Sequence, residues 1–289
     1  MTTIKTKAIL LSTLLSIDLL YASINTVVSI LPQKTFVEAI GGDKVNVTIM
    51  VKPGSSPHNY EPKPSQMANI EKADLYFAIG VEFEKVWLSK FADQNKKMKI
   101  THMDKGVHKI EMDENNDHHD DRKKEHLKER DPHIWTSPLN VKLIAKNIYH
   151  QLITIDKENK EYYTSNYEKF LTHIHTTDQK ITHTLRPIQT EKKFMVFHPA
   201  WGYFSRDYGL TQIAIEVSGK NPKPKQLMKL IGEAKAHNVS AVFTSPEFSE
   251  KTARIIAKEV GVPVVKLSPL NPKWSKNLIN LAKAIAHKQ

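Results

Sequence analysis

The 289-residue chain has no cysteine, which excludes a disulfide framework, a thiolate metal site and a cysteine nucleophile. We also expect no lipid-anchored N-terminal cysteine. A metal must then be held by His, Asp, Glu and water. Long apolar runs are confined to the extreme N-terminus, so a polytopic membrane protein is excluded. Ten Gly and fifteen Pro exclude collagen-like and low-complexity sequence.

The charge is strongly positive, at +11 with histidine neutral. The 42 Lys and Arg are scattered along the whole chain, mostly on the polar faces of helix-like stretches, instead of forming a basic patch. Aromatic residues do not form a stacking array among them. We therefore expect no nucleic-acid partner.

Residues 1–23 are predicted to form a cleavable signal peptide. Lysines precede an apolar stretch over residues 8–20, and small residues follow it. Asp18 interrupts this stretch, and an uncleaved N-terminal anchor is the alternative. The run is shorter than the ~20 residues that a spanning helix needs. A secreted mature chain starting near Ile24 is expected.

Short β-branched runs alternate with amphipathic stretches, a pattern typical of βαβ units and a parallel sheet. They fall into two sets of four, separated by a helical region. The predicted strands cover residues 27–31, 45–51, 74–79 and 98–103 in the first set, and 194–197, 212–217, 241–244 and 263–267 in the second.

The helical region predicts two helices. The first covers residues 139–153 after an N-cap signal, and the second covers 161–185, where apolar residues recur at helical spacing until Pro187. About 25 helical residues span about 37 Å. We predict an α/β fold of two (β/α) lobes, each with a mainly parallel four-stranded sheet, joined by a long rigid helix. The expected divisions are an N-terminal lobe at 24–158, a linker helix at 159–186 and a C-terminal lobe at 187–289.

Residues 107–131 break this pattern, because they have almost no apolar content and are rich in acidic residues and histidine. Such a segment cannot bury enough surface to form a packed core, so a loop is predicted. Imidazoles mixed with carboxylates bind borderline divalent ions, which favours an auxiliary, low-affinity metal trap. A solvated charged insertion is the alternative. The histidines in this segment are His108, His118, His119 and His126.

Three other histidines stand where an open α/β sheet binds ligands, at the carboxyl ends of strands or in the connections after them. His58 follows the second predicted strand, His133 follows the acidic loop and His198 closes the fifth strand. Neutral imidazoles suit Zn²⁺. Asp131 and Glu61 are nearby in sequence and are candidate partners for the second ring nitrogens, with ordinary loop solvation as the alternative.

At these histidines the sequence resembles a known family. The runs SPHNYEPKPSQ, IEKADLYFAIG, DPHIWTSP, FHPAWGYFSRDYGL and VFTSPEFSEKTARIIAKEVGVPVVKLSPL are similar to the periplasmic zinc-binding components (ZnuA-like) of high-affinity zinc ABC importers. The resemblance covers essentially the whole mature chain. It implies a periplasmic protein that holds Zn²⁺ in the cleft between its lobes and delivers it to a membrane permease. We expect it to act as a monomer.

The resemblance also implies the ligands. The three zinc-binding imidazoles of the family fall on His58, His133 and His198, and manganese-binding relatives usually have Glu in place of His198. The chain departs from the pattern at Ser268, where many relatives have Asp or Glu. The fourth ligand is therefore left open between water, Glu61, Glu247 and a loop histidine.

Three other functions fit parts of this pattern. Three histidines and an open position also describe a catalytic zinc site, as in a hydrolase or lyase. The sequence has no HExxH or GxSxG motif and no obvious carboxylate base near the ligands, so we expect no enzyme. A manganese or iron importer component of the same family and a surface adhesin on the same fold are the remaining alternatives.

Overall fold

The computed structural model describes residues 23–112, 130–188, 192–217 and 219–286. The predicted signal peptide therefore lies outside the described residues, except for Ser23. Most of the predicted acidic loop also lies outside them, including His118, His119 and His126. No helix within the described ranges is long and apolar enough to cross a membrane.

The described residues form two parallel four-stranded sheets, as the sequence predicts. The first has the order β2-β1-β3-β4 and the second the equivalent order β6-β5-β7-β8. In each sheet the first strand, β1 or β5, lies between the two strands that follow it in sequence, so the strand order reverses beside it. Ligands bind at such reversal points, at the carboxyl ends of the strands. The strands are β1 Ile24–Val28, β2 Val45–Ile49, β3 Leu75–Ala78, β4 Lys99–His102, β5 Lys193–Val196, β6 Thr211–Ala214, β7 Val242–Thr244 and β8 Val264–Lys266.

Several strands end earlier than the sequence predicts. β1 stops at Val28, because Pro32 stands in the first turn of the helix that begins at Leu31. β2 stops at Ile49 and β6 at Ala214, two and three residues before the predicted ends. The apolar residues that follow are buried, and their backbone still bonds to the neighbouring segment: the N–H groups of Met50, Val51 and Ile215 donate to the carbonyls of Val28, Ser29 and Val196. The loops at the carboxyl edge of each sheet are therefore longer than predicted.

Helices flank both sheets, and four of them begin with proline in the first turn, where its missing N–H costs nothing. Ser137 caps the fourth helix by accepting a hydrogen bond from the Asn140 N–H at 3.1 Å. The helices are α1 Leu31–Gly41, α2 Pro64–Glu71, α3 Glu82–Gln94, α4 Pro138–Ile155, α5 Lys160–Leu185, α6 Gly202–Tyr208, α7 Pro224–Ala236, α8 Lys251–Val260 and α9 Trp274–Ala286.

Helix α5 is the long connecting helix that the periodicity predicts, with 26 residues and a length of about 39 Å. Its buried face, which includes Phe170 and Ile181, packs against α1, α4 and α9. One apolar cluster runs from the first sheet past this helix to Phe194 and Phe243 in the second sheet. The two sheets are therefore joined by continuous packing as well as by the chain.

Two tryptophans join the lobes beside the cleft. The Trp135 Nε1–H donates to the carbonyl of Pro269 at 2.8 Å, and the Trp274 Nε1–H donates to the carbonyl of Trp135 at 2.7 Å. Both indole rings are almost fully buried, so these bonds are shielded from water. They fix the segment that carries His133 against the loop after β8.

Candidate metal centre

Three histidines from different parts of the fold meet between the sheets. His58 lies in the loop after β2, His133 in the connection between β4 and α4, and His198 directly after β5. Their ligand atoms all lie within 4.8 Å of one another. The Nε2 atom of His198 is 2.9 Å from that of His58 and 3.3 Å from that of His133.

This spacing suits one small metal ion. Nitrogen ligands at 2.0 to 2.1 Å from a tetrahedral Zn²⁺ are separated by about 3.3 Å. The three histidines, Glu247 and Phe248 line a cavity of about 10 Å³. Such a volume accommodates about one water molecule or one ion. The cluster therefore offers three imidazole nitrogens to a single ion and has no room for a larger ligand.

A carboxylate contacts the other ring nitrogen of each histidine. The Nδ1–H of His133 donates to Asp131 at 2.8 Å, and the Nδ1–H of His198 donates to Glu216 at 2.7 Å. The Nδ1 atom of His58 lies 3.0 Å from Glu82. Carboxylates in this position orient ligand imidazoles and increase their basicity. All three Nε2 atoms consequently face the same point.

The His58 loop is positioned by the start of α3. The Phe83 N–H donates to the carbonyl of Pro57 at 3.3 Å, which places Glu82 of the same helix turn beside the His58 ring. Glu84, two residues after Glu82, holds this helix start by accepting hydrogen bonds from the N–H groups of Ile79 and Gly80 after β3. Burial, opposed by these hydrogen bonds, raises the pKa of Glu84 to about 7.

The His133 segment is held from both sides. Asp131 accepts from the backbone N–H of His133 as well as from its ring, both at 2.8 Å, and the Tyr203 hydroxyl donates to the Asp131 carbonyl at 2.7 Å. Gly202 allows this approach, because a Cβ there would stand 2.7 Å from Oδ2 of Asp131. Asp131, the last residue of the predicted acidic loop, is thus a buried part of the site.

His198 is enclosed by aromatic packing and by a carboxylate. Its ring stacks on Phe248 with centroids 4.9 Å apart, and only 9% of its side chain is exposed. The Ala200 N–H donates to the His198 carbonyl at 2.8 Å, which forms a tight turn directly after β5. The orientation of this imidazole is therefore fixed by its turn, its stacking partner and Glu216 together.

The surroundings of the cluster shift the pKa values of His58 and His198 in opposite directions. Burial lowers the pKa of His58, but the contact with the Glu82 carboxylate, together with the charges of Glu216 and Asp131, outweighs burial and raises the pKa above its usual 6.5. Burial lowers the pKa of His198 to about 4, with help from the neighbouring imidazoles and against the effect of Glu216. His58 therefore takes up a proton before His198 does.

The contact with His58 also changes the pKa of Glu82. Burial alone raises the pKa of Glu82, but the hydrogen bond and charge of His58 outweigh it and lower the pKa to about 2. An ionised Glu82 beside a protonated His58 leaves the His58 Nε2–H directed at the neutral His198 ring, 2.9 Å away. A metal ion at the cluster would displace this proton.

The remaining predicted site residues differ in their distance from the cluster. Glu61 is exposed, and the carboxylate beside Nδ1 of His58 is Glu82 instead of Glu61. His108 is also exposed, although Val107 and Ile110 beside it pack against the core. Glu247 lines the histidine cavity.

Sequence reasoning missed Glu82 and Glu216. Glu82 begins α3, four residues after β3 ends, and Glu216 lies two residues after β6 ends. Both stand at carboxyl ends of strands, the position that also singles out the histidines. Glu216 was not recognised as a site residue, because the strand predicted over residues 212–217 includes it. A shorter strand would have placed it at the cleft.

Similar proteins share this architecture. The sequence model of the family described as zinc-uptake complex component A, periplasmic (ZnuA) matches residues 26–287. The chain is 31% identical to the high-affinity zinc uptake system protein ZnuA of Bacillus subtilis over 253 residues, which cover 86% of this chain and 78% of that protein. It is 27% identical over 270 residues to the zinc-binding protein AdcA of Streptococcus pyogenes, covering 88% of this chain and about half, 52%, of AdcA.

A solved structure agrees with both. The crystal structure of a ZnuA deletion mutant with zinc bound is 40% identical and superposes with a TM-score of 0.82, over 91% of this chain and 97% of that chain. The family match spans both sheets and all three histidines of the cluster. The chain belongs to the ZnuA family, the periplasmic component A of zinc-uptake complexes.

Proposed function

We propose that this protein is a periplasmic solute-binding protein that captures Zn²⁺ between its lobes and delivers it to the membrane permease of an ABC importer. The observation that carries the proposal is the convergence of three Nε2 atoms on one small cavity, each ring oriented by its own carboxylate. Family membership supports the same function. His58, His133 and His198 are the proposed ligands.

The donor set favours zinc over manganese. Imidazole nitrogens suit zinc, whereas manganese prefers carboxylate, carbonyl and water oxygens. Calorimetric titration of the purified protein should give one tight Zn²⁺ site per chain, and Mn²⁺ should bind far more weakly. Mn²⁺ or Fe²⁺ displacing Zn²⁺ in a competition titration would instead support a manganese or iron importer component.

The site is proposed to bind and release its ion without turnover. The histidine cavity has room for one ion but not for an organic substrate beside it. We propose a monomer that docks on the permease when loaded. Zinc-dependent co-purification with the permease would support this role, and hydrolysis of activated esters by the zinc-loaded protein would support an enzyme.

Replacing Glu216 tests whether the orienting carboxylates set the affinity. Glu216→Gln keeps an acceptor for the His198 Nδ1–H but removes the charge. Loss of such outer partners typically costs 10–100-fold in metal affinity, and we expect a change of about that size in the zinc dissociation constant. Glu259→Gln, which changes an exposed residue of α8, is the charge-matched control. Equal affinities in the two variants would contradict the orienting role.

The acidic segment is proposed to hold an auxiliary, weaker zinc site through His108, His118, His119 and His126. Replacing residues 113–129 with a Gly/Ser linker keeps the Glu111 to Arg130 bridge and the bond from the Asp131 N–H to the Ile110 carbonyl. We expect the weaker binding event to disappear from the titration while the tight site persists. A second variant should change only the loop histidines to Asn. If it keeps the weak event, carboxylates bind the ion there.

A further inference from the structure

Glu247 is a carboxylate of the cleft that none of the three histidines uses. It lies in the loop between β7 and α8 and lines the histidine cavity. Its Oε2 atom is buried and has no hydrogen-bond partner among the described residues. A buried carboxylate oxygen without a partner is costly, and Glu82, Asp131 and Glu216 each have one too. Of these four carboxylates only Glu247 lines the histidine cavity, where a bound cation would compensate its charge.

Ser268 holds the other oxygen of this carboxylate. The Ser268 hydroxyl donates to Oε1 of Glu247 at 2.9 Å and accepts from the Leu270 N–H at 3.0 Å. The Ser268 carbonyl in turn accepts from the Asn277 side chain at 2.9 Å. The hydroxyl is thus fixed by the backbone and directed at Glu247. Ser268 therefore orients a carboxylate at the cavity in place of supplying a ligand atom of its own.

Glu247 also lies beside a second cavity. This outer cavity has a volume of about 210 Å³ and is lined by residues of both lobes, among them Val51 and Pro272. Glu247 and Leu270 line both the outer cavity and the histidine cavity. The Glu247 carboxylate therefore stands at the border between the two cavities.

We propose that Glu247 supplies the fourth, oxygen ligand of the zinc ion, oriented for this by Ser268. This inference rests on the proposed function of the three histidines. Among the described residues, the histidines alone form the group whose ligand atoms lie within 4.8 Å of one another. Binding therefore requires Oε2 of Glu247 to move toward the ion while Ser268 continues to hold Oε1. An anionic oxygen beside three neutral nitrogens completes a tetrahedral zinc shell.

The test compares Glu247→Gln with the wild type in zinc calorimetry and in the visible absorption spectrum of the Co²⁺-loaded protein. The absorption bands of Co²⁺ depend on its ligands and their geometry. If Glu247 acted only through its charge, its replacement would leave these bands unchanged. We expect zinc affinity to fall at least about 10-fold and the cobalt bands to shift as water or an amide replaces the carboxylate. Ser268→Ala should weaken zinc less, and Glu259→Gln should match the wild type.

The outcomes separate this inference from the proposed function. An unchanged cobalt spectrum in Glu247→Gln overturns the ligand assignment, whether or not the affinity falls. Thermal unfolding without metal checks that each variant folds as the wild type does. If the wild type binds no zinc, or if removing a histidine leaves binding intact, the three-histidine site fails first. Tight binding by the histidines with no effect of Glu247 overturns this inference alone.

Discussion

Replacing His58, His133 or His198 singly with Ala is expected to lower zinc affinity by at least about 100-fold. Each replacement removes one of three imidazole ligands, and loss of an outer carboxylate alone typically costs 10–100-fold. Only three nitrogens converge on the cavity, so none is redundant among the described residues. Calorimetry measures the loss directly.

The stabilisation of the fold by zinc should shrink in parallel. Binding stabilises the native state by mass action, and a 100-fold loss of affinity removes about 2.7 kcal/mol of this stabilisation at saturating zinc. His58 is the cleanest position, because 27% of its side chain is exposed and its removal leaves the core intact. His175→Ala, which changes an exposed residue of α5, is the matched control. An unchanged affinity for any of the three variants would exclude that residue from the site.

The fold was predictable because its signals are local. Alternating β-branched runs and amphipathic stretches specify strands and helices, and the apolar spacing over residues 161–185 predicts α5 to within one residue at its start. The strand ends were less accurate. A buried apolar residue such as Val51 favours a strand prediction whether it belongs to the strand itself or to the loop that follows it.

The candidate ligands stand out because histidine at the end of a strand is unusual and its chemistry is specific. Their orienting carboxylates depend on tertiary contacts that sequence proximity does not reveal. Asp131 pairs with a histidine two residues away, whereas Glu82 reaches His58 across 24 positions only because the Pro57 carbonyl binds the start of α3. Glu61 is closer to His58 in sequence but is exposed, and Glu82 takes the place beside the ring.

Zinc affinity is expected to fall steeply on mild acidification, beginning above pH 6.5. Zinc must displace the proton on His58, whose pKa is raised above 6.5 by Glu82 against the effect of burial. At pH values above that pKa the ring is neutral and binding carries no such penalty. Below it, each pH unit costs about tenfold in affinity for this one proton. His198, with a pKa lowered to about 4, stays neutral and adds nothing over this range.

The source of this pH dependence can be tested by removing the charge of Glu82. Glu82→Gln leaves burial opposed only by the charges of Glu216 and Asp131, so the pKa of His58 falls. The onset of the affinity loss should therefore move to lower pH, even though the zinc site also loses an orienting carboxylate and binds more weakly at neutral pH. Titrations from pH 8 to 5 in buffers with different ionisation enthalpies count the protons released. A variant whose affinity curve keeps the wild-type onset would show that another group controls the proton that zinc displaces.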